Sequence, residues 1–311
     1  ITVIGAGNVG AAIAYSLATQ MIASEILIID IVKEKAEGEA MDIVQGTAFQ
    51  DPVTVTSGDY KDAVGSDIVI ITSGAARKPG MSRIDLAQVN TDILKAITPN
   101  IVKYAPDAIY ILVSNPVDVL TYVFTKISGI PENKIIGSGT CLDTARFRAY
   151  LSKHFQVAQK NVHGFVFGEP GDTSFITWSS SSVAGIDVDT YADSENNKKK
   201  GIARVDKEAV LHYVQKSGAT IIAGKGSTNY GIAQSVVRLC KMILAPYNSV
   251  ISVSTVLHGE YEEEDVALSI LNEIGPNGVY GRVELPLSLR ERDQLHTSAA
   301  ALKKVISQLK I

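Results

Sequence analysis

The chain has 311 residues, of which 46% are hydrophobic and 20% charged, and its formal net charge is −4. Such values are typical of a globular protein with a sizeable buried core and room for about two domains. The negative balance excludes a broad basic surface for nucleic acid, and no apolar run approaches the roughly 18 residues needed to span a membrane. Two cysteines, Cys141 and Cys240, are too few for a disulfide framework, so we expect a cytoplasmic protein.

The first half of the chain alternates short β-branched runs with helical stretches. ITVI (1–4) already starts at residue 1, so we expect a few residues upstream, and the helix-like GAGNVGAAIAYSLATQ follows it. Further strand-like runs are EILIID (25–30), DIVIIT (67–72) and AIYILV (108–113). Short apolar strands separated by helices predict a doubly wound parallel sheet of the Rossmann type, buried on both faces.

The second half has a different pattern. NVHGFVFG (161–168) and DTSFITWSSSSVAG (172–185) predict antiparallel strands, and KEAVLHYVQKSGATIIAGKG (207–226) has helical spacing. The polar stretch at 193–207 is interpreted as a solvated loop and a helix start. We therefore predict an α/β Rossmann domain over residues 1–140 and an α+β substrate domain with antiparallel strands over residues 141–311. Some later helices should pack back on the first domain.

A glycine-rich turn follows the first predicted strand. Gly5-Ala6-Gly7-Asn8-Val9-Gly10 has the G-x-G-x-x-G spacing, in which the glycines allow a tight turn, close approach of a pyrophosphate and close helix packing. Asp30 ends the second strand 20 residues after Gly10, where a carboxylate can accept ribose hydroxyls and repel a 2′-phosphate. The pattern favours NAD over NADP, although the motif alone leaves a flavin dinucleotide or a purely structural turn open.

Three later segments carry charged and polar residues. GAARKPGMSRIDL (74–86) contains Arg77 and Arg83, SNPVDVLTY (114–122) places Asn115 after a buried strand, and GSGTCLDTARFR (137–148) contains Asp143 and Arg146. An arginine-rich loop beside a nucleotide site suggests a small anionic substrate. Taken singly, the loop is typical of a solvated surface, and Asp143 with Arg146 is typical of a helix ion pair.

Together, these segments resemble the L-lactate/malate dehydrogenase family, and the resemblance covers essentially the whole chain. It implies NAD as cofactor and a homo-oligomer, most simply a tetramer. The cofactor-binding residues that it implies are Gly5, Gly7, Asn8, Val9, Gly10, Asp30 and Asn115. The substrate-binding residues that it implies are Arg77, Arg83, Asn115, Arg146 and Thr228.

The same resemblance assigns catalytic roles. The arginine that matches Arg146 forks onto the substrate carboxylate, and the one that matches Arg83 polarises the reacting carbonyl on a closing loop. The aspartate that matches Asp143 orients a histidine, and that histidine donates a proton as hydride arrives from the nicotinamide. No metal takes part in this chemistry.

The residue in the histidine position is the exception. The family motif G-E-H-G-D reads Gly168-Glu169-Pro170-Gly171-Asp172 in this chain, a sequence that by itself predicts a type II turn. Proline has no ionisable group, and His163 is seven residues away, roughly 23 Å of extended chain. We therefore expect a chain that binds NADH and substrate but turns over very slowly. Asp143 would be left without the histidine as its cationic partner, so its charged form should be less stable than in the family's usual site.

Several alternatives stay open at this point. Pro170 also suits a non-catalytic NAD-binding or interaction subunit, and the sequence does not distinguish a natural proline from an engineered or erroneous one. Arg77 favours a second substrate carboxylate, hence malate and oxaloacetate, whereas GSGTCLDTARFR and Thr228 are more similar to lactate dehydrogenases. The charge argument favours malate.

A regulatory site is also implied by the resemblance. Arg148 and His163 match the positions at which many bacterial lactate dehydrogenases bind fructose bisphosphate between subunits, and cationic side chains suit phosphates. A surface arginine and a satisfied core histidine are the alternative interpretation.

Overall fold

The computed structural model describes residues 1–49, 51–76 and 80–311. Its first part alternates strands and helices, as the sequence predicts, because short β-branched runs are separated by turn residues and helical stretches. The elements are β1 (Thr2–Ile4), α1 (Asn8–Thr19), β2 (Glu25–Ile29), α2 (Lys33–Gly46), β3 (Thr54–Ser57), β4 (Ile68–Ile71), α3 (Arg83–Tyr104), β5 (Ile109–Leu112), α4 (Val117–Ile127) and β6 (Ile135–Gly137).

These six strands are parallel neighbours in the order β3-β2-β1-β4-β5-β6. β4 and β5 are buried along their whole length, which explains their continuous apolar sequence. The strand order reverses at β1, which pairs with β2 on one side and with β4 on the other. Open α/β sheets bind their ligands at such a switch point, and the glycine-rich turn follows β1 there.

The second part combines helices with antiparallel strands. Its elements are α5 (Cys141–Phe155), β7 (Val162–His163), β8 (Val166–Phe167), β9 (Phe175–Ile176), β10 (Ser182–Val183), β11 (Ile186–Asp187), α6 (Val188–Ala192), α7 (Glu195–Lys199), α8 (Lys207–Lys225), α9 (Tyr230–Ile243), β12 (Ser249–His258), β13 (Glu264–Gly275), β14 (Gly278–Val283) and α10 (Leu289–Ile306). β8 pairs with β9, and β10 pairs with β7 and β11, all antiparallel. The predicted fold class is confirmed.

The long strands β12, β13 and β14 continue the main sheet. β12 meets β6 in antiparallel fashion at Ser254 and Gly137, so that nine strands form one sheet within the described ranges. A Cβ atom on Gly137 would lie 2.2 Å from Thr121 Oγ1 and 2.8 Å from Ser254 Cβ. Glycine at this position therefore allows α4 and β12 to approach β6 closely.

Helix α9 packs back on the first part, as predicted. Val236 and Val237 share a buried cluster with Ile13 and Leu17 of α1. The prediction of a solvated loop at 193–207 is wrong over Glu195–Lys199, which is helix α7. Ser194 is its N-cap, and the Ser194 hydroxyl accepts a hydrogen bond from the Asn197 backbone N–H at 3.4 Å.

Two general properties bear on function. Within residues 1–49, 51–76 and 80–311, no helix combines the length and apolar character needed to cross a membrane. In the same ranges, no group of three or more His, Cys, Asp and Glu side chains could hold a metal ion.

Asp118 on α4 is a buried carboxyl group close to the sheet. It is only 1% exposed, and neither carboxyl oxygen has a hydrogen-bond partner among the described residues. Burial raises the pKa of Asp118 well above its ordinary value, and the negative charges of Glu169 and Asp143 act in the same direction. The hydroxyls of Ser254 and Ser269 oppose this shift in pKa, although neither meets the geometry of a hydrogen bond.

We expect Asp118→Asn to change how stability depends on pH. Between the ordinary and the raised pKa, the unfolded chain releases a proton that the folded chain keeps, so the free energy of unfolding falls as pH rises through that window. An amide does not titrate, so the fall should become smaller in the variant. Denaturant titrations at pH 5 and pH 8 measure it, with exposed Asp107→Asn as the matched control. Parallel pH dependences for Asp118→Asn and the wild type would contradict the expectation.

Candidate active site

A cavity of about 460 Å³ lies beyond the carboxyl ends of β1, β5 and β6. Its lining includes predicted site residues from both parts of the chain, namely Val9, Arg83, Asn115, Asp143, Arg146, Pro170 and Thr228. A larger cavity of about 760 Å³ lies at the amino ends of β1, β2 and β3 and contains none of the predicted site residues. The smaller cavity is therefore the candidate active site.

The glycine-rich turn is held by backbone contacts. Gly5 has φ +107°, and its N–H donates to the Ile29 carbonyl at 2.7 Å. A Cβ atom on Gly10 would lie 1.8 Å from the Gly5 carbonyl oxygen, so α1 can begin directly over the turn only because both residues are glycine. The Thr72 hydroxyl donates to the Gly5 carbonyl at 3.0 Å and fixes the turn against β4.

Gly7 has a different environment. Its φ and ψ of −73° and 178° are available to any residue, and a Cβ atom there would meet nothing within 4 Å. The chain's own packing thus gives no reason for glycine, whereas close approach of a ligand does. Gly7 is also the N-cap of α1, with no side-chain cap and no acidic residue in the first turn, so free N–H groups and the positive end of the dipole suit a phosphate.

Asp30, which follows β2, is hydrogen-bonded to the glycine-rich turn. One carboxylate oxygen accepts from the Ala6 N–H at 2.6 Å and the other from the Val32 N–H at 2.9 Å. Each oxygen can accept a second hydrogen bond, so the carboxylate can still receive ribose hydroxyls. Asn8 faces outward, and its amide donates to the Ser227 hydroxyl at 3.1 Å. The turn, the helix end and the acid together fit NAD.

Asp143 and Arg146 form a tight ion pair on α5. Arg146 Nη1 lies 2.7 Å from Asp143 Oδ1, and the two side chains are 16% and 9% exposed. Burial raises the pKa of Asp143, while the Arg146 charge and hydrogen bond oppose the rise. The direction agrees with a destabilised carboxylate. Asp143 thus has Arg146 as a cationic partner, whereas residue 170 offers none.

Arg83, the first residue of α3, contacts the segment that contains Pro170. Its Nη2 lies 3.1 Å from Asp172 Oδ2 and its Nη1 lies 3.5 Å from Glu169 Oε1, while Lys216 of α8 approaches the other Asp172 oxygen at 3.2 Å. The Arg83 side chain is 48% exposed, so these pairs add little to stability. The sequence assigned no role to Glu169, Asp172 or Lys216, although the first two belong to the motif around Pro170.

Pro170 lies on the cavity wall in the loop after β8. The loop is anchored by the Gly168 N–H, which donates to the Ser269 carbonyl at 3.0 Å, and by the Glu169 N–H, which donates to the Ser298 hydroxyl at 2.8 Å. The hydrogen-bonded turn runs from Gly171 to Ser174 at 3.3 Å, so the turn predicted over residues 169–172 is wrong by two residues. Pro170 lies just before this turn, and it lines the same cavity as Asp143.

Asn115 and Thr228 complete the lining. Asn115 follows β5, and its carbonyl accepts from the Asn90 amide at 2.6 Å. Asn90 also accepts from the Ala75 N–H at 2.6 Å, which holds the start of the arginine-rich loop beside Asn115. Thr228 lies between α8 and α9. Arg77, the predicted discriminating residue, lies outside the described residues.

Arg148 and His163 lie away from the cavity lining. Arg148 Nε donates to the Gly164 carbonyl at 3.1 Å, and its guanidinium lies 5.1 Å from the centre of the Phe165 ring. His163 is exposed on β7. Burial lowers the pKa of Arg148, and the nearby Arg238 acts in the same direction. The described part of the chain gives Arg148 no carboxylate partner.

The fold and the cavity define a dinucleotide-dependent oxidoreductase, and comparisons with known proteins identify its family. Residues 1–137 match the lactate/malate dehydrogenase NAD-binding domain, and residues 140–310 match the lactate/malate dehydrogenase alpha/beta C-terminal domain. The chain therefore belongs to the lactate/malate dehydrogenase family, and its cofactor is NAD.

Individual relatives cover nearly the whole chain. L-lactate dehydrogenase 1 of Clostridium acetobutylicum is 46% identical over 309 residues, which are 99% of this chain and 98% of the relative. The L-lactate dehydrogenase of Thermoanaerobacter pseudethanolicus is 46% identical over 311 residues, 100% and 99% of the two chains. The solved structure of the minor L-lactate dehydrogenase from Enterococcus mundtii superposes with a TM-score of 0.94 at 34% identity, covering 100% of this chain and 98% of that one.

The two helix-end glycines should respond differently to alanine. Gly7→Ala should keep the wild-type free energy of unfolding but weaken NADH binding by about 10–100-fold, since its methyl group keeps phosphate from the helix N–H groups. Gly10→Ala should lower stability by about 1–3 kcal/mol, because its Cβ clashes with backbone. Denaturant melts and NADH fluorescence titrations separate these effects. Equal loss of stability in both variants would contradict the assignment of Gly7 to the ligand.

Proposed function

We propose that the chain is an NAD-dependent L-2-hydroxyacid dehydrogenase, built for reversible hydride transfer between the nicotinamide and a small 2-keto acid. The observation that carries the proposal is one cavity that joins Val9 of the glycine-rich turn to two arginines, Arg83 and Arg146. Two guanidinium groups in the lining of a 460 Å³ cavity suit an anion with a polarisable carbonyl. We further propose a division into residues 1–140 and 141–311, a cytoplasmic location, and assembly as a homotetramer.

The residues have separate roles in this mechanism. Arg146 binds the substrate carboxylate, Arg83 polarises the carbonyl, and Asn115 lies beside the nicotinamide. Bound NADH supplies the hydride. Closing the cavity over the substrate excludes water and strengthens the contacts of both arginines.

The proton donor is absent from this arrangement. Pro170 and Asp143 both line the cavity, the resemblance to the family assigns an imidazole to position 170, and proline carries neither an ionisable group nor an N–H. We therefore propose that the chain as it stands binds NADH and keto acid but reduces the keto acid slowly. A second candidate function, a non-catalytic NAD-binding or interaction subunit, is favoured by the same proline.

The substrate preference rests on Arg77. Closing the site with an unpaired guanidinium against the methyl group of pyruvate would cost free energy. The second carboxylate of oxaloacetate would instead pair with the guanidinium. We propose oxaloacetate and malate as the preferred pair on this ground. The names of the relatives, all L-lactate dehydrogenases, and the lactate-type segments around Asp143 and Thr228 favour pyruvate and lactate as the alternative.

Pro170→His should raise the rate of NADH oxidation by about 10²–10⁴, the range for a positioned acid. The assay uses oxaloacetate and pyruvate in parallel, and oxaloacetate should be the better substrate of the variant. Pro170→Gln, which adds a polar side chain without a titrating group, is the matched control and should stay slow.

Each other outcome has a distinct meaning. A wild-type chain as fast as the histidine variant would mean that another proton donor operates. A variant that binds NADH but reduces neither keto acid would favour the non-catalytic subunit. A preference of the active variant for pyruvate would contradict the Arg77 argument.

We also propose that Arg148 and His163 bind a sugar bisphosphate between subunits. Arg148 lies near Arg238 without a carboxylate partner among the described residues, and a phosphate would relieve the repulsion between the two guanidinium groups. Fructose 1,6-bisphosphate should therefore increase the sedimentation coefficient of the wild type. Arg148→Gln should abolish this response, whereas Arg290→Gln, at an exposed position on α10, should keep it. An unchanged sedimentation coefficient of the wild type in the presence of fructose 1,6-bisphosphate would contradict the proposal.

A further inference from the structure

The guanidinium of Arg146 is already occupied by a carboxylate of the protein itself. Nη1 lies 2.7 Å from Asp143 Oδ1 in a pair of which little is exposed. The other end of the guanidinium faces α8, where a Cβ atom on Gly218 would lie 3.6 Å from Nη2. A forked carboxylate contact uses two parallel N–H donors, so a substrate carboxylate has to compete for one of them.

The pairing follows from the charges around the cavity. The described lining contains two cationic side chains, Arg83 and Arg146, and two carboxylates, Asp143 and Glu169. Arg83 lies against Glu169 and Asp172. A buried carboxylate requires a cation or several hydrogen bonds, and Pro170 offers neither. Arg146, three residues along the same helix, is the cation that remains for Asp143.

We propose that Asp143 acts in this chain as an internal competitor of the substrate carboxylate for Arg146, so that proline at position 170 weakens substrate binding as well as proton transfer. The inference rests on the proposed function, because it takes Arg146 as the substrate-carboxylate site. Asp143 is thereby a positioning residue whose effect on binding depends on residue 170. With an imidazole at that position, Asp143 has another cation to bind, and Arg146 is free for the substrate.

The inference predicts that removal of the Asp143 charge tightens substrate binding in this chain. In the Pro170 chain, Asp143→Asn should tighten binding of an anionic substrate analogue by about tenfold, since one charge-assisted hydrogen bond no longer has to be exchanged. In the Pro170→His chain, the same substitution should fail to tighten binding, because Arg146 is not engaged by Asp143 there. If the substitution acted only by removing the repulsion between the Asp143 charge and the anionic analogue, binding would tighten in both the Pro170 chain and the Pro170→His chain.

The experiment is a double-mutant cycle at positions 143 and 170. The probe is oxamate, a carboxylate with the shape of pyruvate, titrated into the NADH complex and followed by NADH fluorescence and calorimetry. NADH affinity in the absence of oxamate reports whether each variant is folded. Asp143→Ser provides a second neutral replacement should the asparagine variant fail this control.

The results separate the inference from the function on which it rests. Tightening in the Pro170 background alone supports the competition. Equal tightening in both backgrounds, or none in the Pro170 background while the Pro170→His chain binds oxamate, overturns it and leaves the proposed function intact. Failure of the Pro170→His chain both to bind oxamate and to reduce oxaloacetate, or oxamate binding that survives Arg146→Lys unchanged, overturns the proposed function and the inference together.

Discussion

The contact between Gly5 and Gly10 is the constraint on which the site depends. A Cβ atom at Gly10 would meet the Gly5 carbonyl oxygen at 1.8 Å, so the two backbones are closer than side chains allow. This contact lets α1 begin directly over the end of β1, at the point where the strand order reverses. The free helix end, Asp30 and the cavity that contains Arg83 and Arg146 then lie at the same edge of the sheet, as expected for a doubly wound fold.

Ion pairs within the chain balance the charged side chains that line the cavity. Each arginine of the lining lies against carboxylates of the chain, Arg146 against Asp143 and Arg83 against Glu169 and Asp172. The compensation matters most for Arg146, whose side chain is only 16% exposed, because a mostly buried charge without a partner is costly. Compensation by internal carboxylates also means that an anionic substrate exchanges partners when it binds.

The sequence predicted those features that depend on neighbouring residues. β-branched runs indicated the parallel strands, and the spacing of Gly5, Gly7 and Gly10 indicated the turn and helix start. It did not predict the contact of Arg83 with Asp172, which are 89 residues apart, or the extension of the sheet by β12 through Ser254 and Gly137. Helical spacing places Asp143 and Arg146 on one face of α5, and their side chains are paired there, but the sequence did not predict that this pair would form at the wall of the cavity.

We propose that this chain binds NADH and a keto acid, the latter against the competition of Asp143 for Arg146, and that the missing proton donor makes its chemical step slow. The most direct test is the single-turnover rate of the preformed complex of the Pro170 chain, with NADH deuterated or not at the transferred position. We predict slow turnover that deuteration slows further, because bond breaking is the limiting step. Fast turnover without an isotope effect, as when closure of the site limits the rate, would contradict the proposal.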